Sequence, residues 1–243
     1  MDFHEEAFVL SARAHGDTGV VVDLLTESHG RRGAYVAGGA SRKMKPFLQA
    51  GSRVICDYRA RTSDHLGSAR LEAVGEGVAA LFDDAVALTG LSAAAAVAQG
   101  ALPEREPHPG AFLAFEALMT AFQIPAVWPA IFVRFEAGLL EDLGFGLDLS
   151  RCAATGTLDD LIYVSPRTGR AVSRDAGAPY ADKMLKLPPF MLGAQAGLGE
   201  GDVGAGLDLT GHFLEQFVFH PQNRPIPEAR VWMVDRLKES GRL

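Results

Sequence analysis

The side chains best placed to do chemistry in this 243-residue chain are cations gathered in residues 31–61. This segment has a net charge of +7, whereas the other residues together carry −14. Its cations are Arg31, Arg32, Arg42, Lys43, Lys45, Arg53, Arg59 and Arg61. Such groups neutralise phosphates, and Gly38 and Gly39 place flexible backbone beside three of them. The segment therefore predicts a nucleic-acid-binding surface, although the whole chain has a net charge of −7.

A simpler interpretation of the same residues stays open. Lysine and arginine are normally exposed, so these cations could merely cover a solvated surface and a loop tip. The alternation around residues 53–61 favours binding, because it places Arg53, Arg59 and Arg61 on one face of a strand. Arginines on one face can also stack against bases.

Other candidate sites have weaker sequence support. His212 and Glu215 stand three residues apart and could share a helix face as metal ligands, but no second pair of this kind accompanies them. The glycine-rich residues 197–201 lack the preceding strand and the following Gly-Lys-Ser/Thr of a phosphate loop. The sequence has no Gly-x-Ser-x-Gly elbow, although a hydrolase with a dispersed active site stays an alternative.

Hydrophobic periodicity divides the chain into two parts. Up to about residue 76 the period is two, with five short strand patterns around residues 8–13, 20–25, 34–36, 53–61 and 69–74. Five strands in so short a segment predict a closed OB barrel, because closure removes exposed sheet edges. Helical patterns then follow at residues 79–101, 111–122, 129–143 and 213–218, and a last helix opens at Pro227.

We therefore predict an α+β protein, with an OB-fold nucleic-acid-binding domain at residues 1–78 and a mostly α-helical domain at residues 79–243. The glycine-rich residues 193–206 are predicted to form a mobile loop. The acidic start, the absence of a long apolar run and the presence of only two cysteines favour a reducing cytoplasm, with nothing spanning a membrane.

Several stretches of the chain together resemble the bacterial RecO family of DNA repair proteins. The resemblance is carried by residues 8–10, 15–17, 24–30, 36–42, 141–149, 164–166, Cys152 and Gly169. It covers nearly the whole chain, and the order and spacing of the stretches are more specific than any single motif. It implies an N-terminal OB fold and a helical C-terminal domain.

The resemblance also implies a function without catalytic residues. Members of the family bind single- and double-stranded DNA, anneal complementary strands and contact the C-terminal tail of single-strand-binding protein. They join RecR to help load RecA, so RecA is an indirect partner. We expect the barrel to bind DNA, the acidic helical domain to bind proteins, and the chain to be nucleoid-associated in the cytoplasm. An OB-fold module that binds RNA is the other alternative.

One departure from the family concerns a metal. Many members carry a four-cysteine zinc motif, and the corresponding positions here, within residues 148–177, are Cys152, Thr155, Ser173 and Ala176. Because a closed zinc site needs about four donors, the single Cys152 predicts that no zinc is bound, and we expect no other cofactor. Hydrogen bonds or packing must then hold this loop.

Overall fold

The computed structural model describes residues 1–62, 65–75, 78–193 and 197–243. Contacts divide the chain into two compact units. One comprises Met1–Gln123 with Pro227–Met233, and the other comprises Ile124–Ile226 with Val234–Leu243. The domain boundary expected after residue 78 stays a prediction.

The first unit contains a closed five-stranded barrel. Its strands are β1 (Asp2–His15), β2 (Gly19–Thr26), β3 (Gly30–Val36), β4 (Arg53–Arg59) and β5 (Gly67–Ala73). They close in the order β1-β2-β3-β5-β4, and the β3–β5 pair is parallel. Alternate residues of each strand, such as Val22, Ala34 and Val54, fill the interior. The predicted OB-like barrel and the α+β class are confirmed.

Two helices follow the barrel in the same unit, α1 (Ala85–Ala101) and α2 (Pro109–Ala121). The first begins later than the predicted residue 79, because the Asp84 carboxylate accepts hydrogen bonds from the backbone N–H groups of Val86 and Ala87 and so caps the helix there. Phe8 of β1 packs against two α2 rings, Phe112 and Phe115.

The second unit combines helices with a small sheet. Its elements are α3 (Trp128–Asp142), β6 (Leu161–Val164), β7 (Ala171–Ser173), α4 (Arg174–Gly177), β8 (Leu185–Lys186) and α5 (Asp202–Phe213), which continues as a π-helical turn (Leu214–Phe219). The last helix, α6 (Glu228–Glu239), begins in the first unit and ends in the second. The strands pair in the order β7-β6-β8. Their short length explains why the sequence pattern did not reveal them.

The loop prediction for residues 193–206 is wrong at its C-terminal end, because α5 already begins at Asp202. Residues 194–196 of that stretch lie outside the described residues. Glycine at position 206 serves close packing: a Cβ there would lie 2.8 Å from Val133 Cγ1 and 3.2 Å from Phe190 Cζ. The glycine content of this stretch therefore indicated a loop, although Gly206 is needed within α5 for the close approach of this helix to its neighbours. None of the helices in the described part of the chain is long and apolar enough to cross a membrane.

Candidate nucleic-acid interface

The eight predicted cations fall into two groups in the structure. Three of them make contacts inside the first unit: Arg31, Arg32 and Arg53. The other five are exposed: Arg42, Lys43, Lys45, Arg59 and Arg61. The cations of the basic segment are thus neighbours in sequence, but they do not form one exposed surface in the structure.

Arg31 joins the barrel to the segment after α1. Its guanidinium pairs with Asp23 Oδ2 at 2.5 Å, donates through Nε to the Leu102 carbonyl at 3.1 Å, and lies 3.6 Å from a carboxylate oxygen of Glu104. The Arg31 carbonyl in turn accepts the Arg105 backbone N–H at 2.9 Å. The Arg31 side chain is only 14% exposed, so its charge is satisfied within the protein.

Arg32 and Arg53 are also held by neighbours. Arg32 is 5% exposed and points into the barrel end, where its Nε donates to the His29 carbonyl at 2.9 Å. Arg53 pairs with the carboxylates of Glu6 and Glu116, and its guanidinium lies 5.8 Å above the Phe8 ring. Arg53 and Arg59 both point outward, but they stand at opposite ends of β4.

The five exposed cations belong to the loop after β3 and to the end of β4. Arg42, Lys43 and Lys45 follow the C-terminal end of β3, and their charged groups have no ion pair with any described residue. The loop is anchored by the Ala40 backbone N–H, which donates to the Thr18 carbonyl in the β1–β2 turn. Arg59 is 71% exposed, and its Nε lies 3.8 Å from Asp57 Oδ1. Arg42, Lys43, Lys45 and Arg59 can therefore meet an external anion without first losing a strong ion pair to a described residue.

Strand register places further residues on the same outer surface. The pairings run from Arg13 to Val21, to Tyr35, to Ser68 and to Arg59, across all five strands. Residues opposite one another in adjacent strands share a face of the sheet. Arg70 follows two positions after Ser68 on that face and is exposed. We name the surface formed by Arg13, Tyr35, Arg59, Ser68 and Arg70 the barrel flank.

A shallow cavity of about 370 Å³ lies on the barrel flank, lined by Tyr35, Ala37, Asp57, Arg59, Ser68, Ala69 and Arg70. Tyr35 and Arg70 were not among the site residues predicted from the sequence. The alternation of Arg70 with buried Ala69 and Leu71 was visible, but the parallel β3–β5 pairing that brings Ser68 beside Tyr35 could not be derived from periodicity.

The usual OB ligand face, on strands 2 and 3, is partly covered in this chain. Gln99 of α1 donates to Asp23 on β2, and Glu104 forms a parallel β-bridge with Arg31 on β3. We call residues 99–106 the cover segment. It pairs along the N-terminal half of β3, whereas Tyr35 lies near the C-terminal end of that strand. The exposed cations and the open part of the barrel surface thus coincide at the barrel flank and the adjoining loop.

The four positions compared above with a zinc motif, Cys152, Thr155, Ser173 and Ala176, contain one thiol. Cys152 is 1% exposed, and its sulfur accepts the Ser173 backbone N–H at 3.3 Å and the Ser173 hydroxyl at 3.4 Å. Burial raises the pKa of the Cys152 thiol, but these bonds and those from the Thr155 hydroxyl and amide outweigh it and lower the pKa to about 6. Hydrogen-bond donors therefore surround the sulfur. Ala176 has no ligating atom, so this set does not fit a tetrahedral zinc.

His212, the histidine of the predicted His212–Glu215 pair, has a structural contact. The His212 ring nitrogen Nε2 lies 3.1 Å from the Pro166 carbonyl. No group of three or more histidine, cysteine, aspartate or glutamate side chains that could hold a metal occurs among the residues described above. Burial, with the nearby charges of Glu5 and Asp57, raises the pKa of Cys56 to about 12, so this core thiol stays protonated at neutral pH.

A closed OB-like barrel with exposed cations, followed by a helical region, defines the class of OB-fold proteins that carry a basic surface. Comparison with known proteins then gives the family. The family model for the recombination protein O N terminal matches residues 1–74, and that for the recombination protein O C terminal matches residues 83–225. The chain belongs to the recombination protein O family.

Full-length relatives agree with this assignment. The DNA repair protein RecO of Phenylobacterium zucineum is 72% identical over 100% of both chains. The protein of the same name from Caulobacter sp. strain K31 is 71% identical, again over 100% of both chains. That of Rhodospirillum centenum is 49% identical over 99% of this chain and 96% of its own.

Proposed function

We propose that this protein is a non-enzymatic DNA-binding mediator of recombinational DNA repair. It binds single- and double-stranded DNA through the exposed cations of the barrel. The observation that carries the proposal is the position of Arg42, Lys43 and Lys45 on one loop, exposed and without an ion pair to a described residue. Each phosphate that they bind releases counterions, which supplies affinity with little dependence on base sequence.

Strand annealing follows from the same electrostatics. Two complementary strands repel each other, and a cationic surface that holds both lowers the repulsion over the Debye length, about 8–10 Å at physiological salt. The relatives named DNA repair protein RecO support the process. We further propose that the protein helps load RecA together with RecR and contacts the tail of single-strand-binding protein. These partners would bind the helical region, whose acidity disfavours DNA. A cytoplasmic, nucleoid-associated location follows from this role.

We also propose that the loop around Cys152 folds without zinc. Its support is the set of donors around the sulfur, which come from Thr155 and Ser173, two of the positions where other members carry ligating cysteines.

Mobility shift and annealing on a salt series test the DNA proposal. The variant Arg42→Glu/Lys43→Glu/Lys45→Glu should bind a single strand more weakly, and its log-log slope of affinity against salt should flatten by about 0.7 for each phosphate that it no longer neutralises. A matched control changes three exposed cations of the second unit, Arg151→Glu/Lys183→Glu/Lys186→Glu. It alters the total charge equally and should bind as wild type. Equal affinity and slope in the loop variant would contradict the proposal, and tighter binding of RNA than of DNA would favour the RNA-binding alternative.

A further inference from the structure

The barrel flank contains an aromatic ring among its cations, and this ring is Tyr35. It is partly exposed and lines the cavity of about 370 Å³ between β3, β4 and β5. Cations alone would suit any phosphate backbone. An aromatic side chain between them adds a surface against which the face of a base can stack.

The position of the ring is fixed by its surroundings. It lies over Gly19, where an added Cβ would overlap the ring, and the rings of Tyr35 and His15 have centroids 5.8 Å apart and planes at 76° to each other. Glycine at position 19 is therefore required for this close approach. A side chain held in this way loses little conformational freedom when it binds a ligand.

Charged and polar groups flank the ring along the strand register. Ser68 pairs directly with Tyr35, and Arg59 pairs with Ser68 on the next strand. Arg70 adds a second exposed cation to the cavity, against the single carboxylate of Asp57. The cavity thus has a net positive charge beside an aromatic ring, which is complementary to a nucleotide with an accessible base.

Resting on the proposed function, we infer that Tyr35 stacks on an unpaired base, so that the barrel flank selects single-stranded DNA while Arg59 and Arg70 contact the adjoining phosphates. Bases within a duplex are already stacked on both faces and cannot reach the ring. The loop cations would hold either form of DNA, whereas Tyr35 would respond only to the single strand.

The test compares Tyr35→Leu and Tyr35→Phe with wild type. Leucine keeps an apolar side chain over Gly19 but removes the aromatic face, and phenylalanine keeps that face. The probes are a thymine homopolymer, an abasic strand of the same length and a duplex. The exposed Tyr180, in the second unit, supplies the matched control Tyr180→Leu.

Tyr35→Leu should bind the thymine strand about fivefold to 150-fold more weakly, as expected when one base–aromatic stack is removed. Its salt slope should equal that of wild type, because the cations that bind phosphate are unchanged, and its affinity for the abasic strand and the duplex should not change. Tyr35→Phe and Tyr180→Leu should bind as wild type. Circular dichroism with thermal melting checks that each variant is folded. If Tyr35→Leu is unfolded, the affinities of wild type for the abasic strand and the thymine strand are compared instead. Equal affinities for these two strands would overturn the inference.

The outcomes separate this inference from the proposed function. If the loop variant loses affinity but Tyr35→Leu binds the thymine strand as wild type does, only the stacking inference is overturned. If the loop variant keeps both affinity and slope, the proposed function itself is contradicted. An equal loss of affinity for thymine and abasic strands in Tyr35→Leu would also overturn the inference, because stacking requires a base.

Discussion

The contrast between Arg31 and Arg59 yields a prediction that separates structural from DNA-binding cations. Both belong to the basic segment, and methionine at either position removes the charge while keeping a long side chain. Arg31 and its partner Asp23 are only 14% and 12% exposed. Removing one member of a buried pair destabilises a protein by about 3–5 kcal/mol, so we expect Arg31→Met to lower the free energy of unfolding by about 3 kcal/mol. Arg59 is 71% exposed, and Arg59→Met should change it by less than about 1 kcal/mol.

For DNA affinity we expect the opposite order, with the larger effect in Arg59→Met. Removing one cation that binds phosphate flattens the single-strand salt slope by about 0.7, which corresponds to about fivefold weaker binding at roughly 0.1 M salt and about threefold at roughly 0.2 M. Arg59→Met should show this decrease, whereas Arg31→Met should bind as wild type at a temperature where it is folded. Urea unfolding gives the stability, and fluorescence anisotropy on a salt series gives the affinity.

A stable Arg31→Met variant with a flattened salt slope would refute the reasoning, because Arg31 would then bind phosphate rather than the cover segment. Equal decreases of affinity in both variants would likewise show that exposure does not decide which cations bind DNA.

Three further predictions concern the second unit. Gly206→Ala should destabilise it by about 1–2 kcal/mol, because the added Cβ crowds Val133. Gly204→Ala should stabilise it by up to about 1 kcal/mol, because its Cβ would lie an ordinary 3.7 Å from Leu243. Urea unfolding measures both, and a stabilising effect of both alanines would contradict this prediction. The pKa of Cys152 in the folded protein is about 6, below its ordinary value of 9.0. The thiolate therefore contributes fully to the free energy of unfolding above pH 9, and this contribution is lost as the pH falls through 6. The unfolding free energy of wild type relative to Cys152→Ala should therefore rise between pH 6 and 9, and a difference that does not vary with pH would disprove it. Metal analysis of the purified protein should find no zinc, and chelator should leave the thermal midpoint unchanged; stoichiometric zinc would overturn the prediction.

The barrel could be predicted from the sequence because its interior residues alternate strictly, as Val54, Cys56 and Tyr58 do on β4. The start of α1 was displaced because capping by Asp84 overrides the apolar periodicity that precedes it. The start of α5 was missed because Gly204 and Gly206, which suggest a loop, lie within a packed helix.

The candidate site was only partly accessible to sequence reasoning. Charge counting located the basic segment, and it found Arg42, Lys43 and Lys45. It could not separate Arg31 from Arg59, because the partners of Arg31 include Leu102 and Glu104, about seventy positions away. Tyr35 and Arg70 become neighbours only through the parallel β3–β5 pairing, which depends on barrel closure and leaves no local pattern.

The cover segment also has a consequence for how the barrel behaves in isolation. On the side away from β2, β3 pairs with β5 only at Ala34 and Tyr35, and its N-terminal half meets Glu104 and Arg105 instead. An uncovered strand edge is a template for pairing with another chain. A fragment ending near residue 78 would lack this protection and would also expose Phe8, which packs on α2. Such a fragment is expected to self-associate. A fragment that remains monomeric when expressed by itself must therefore include α2.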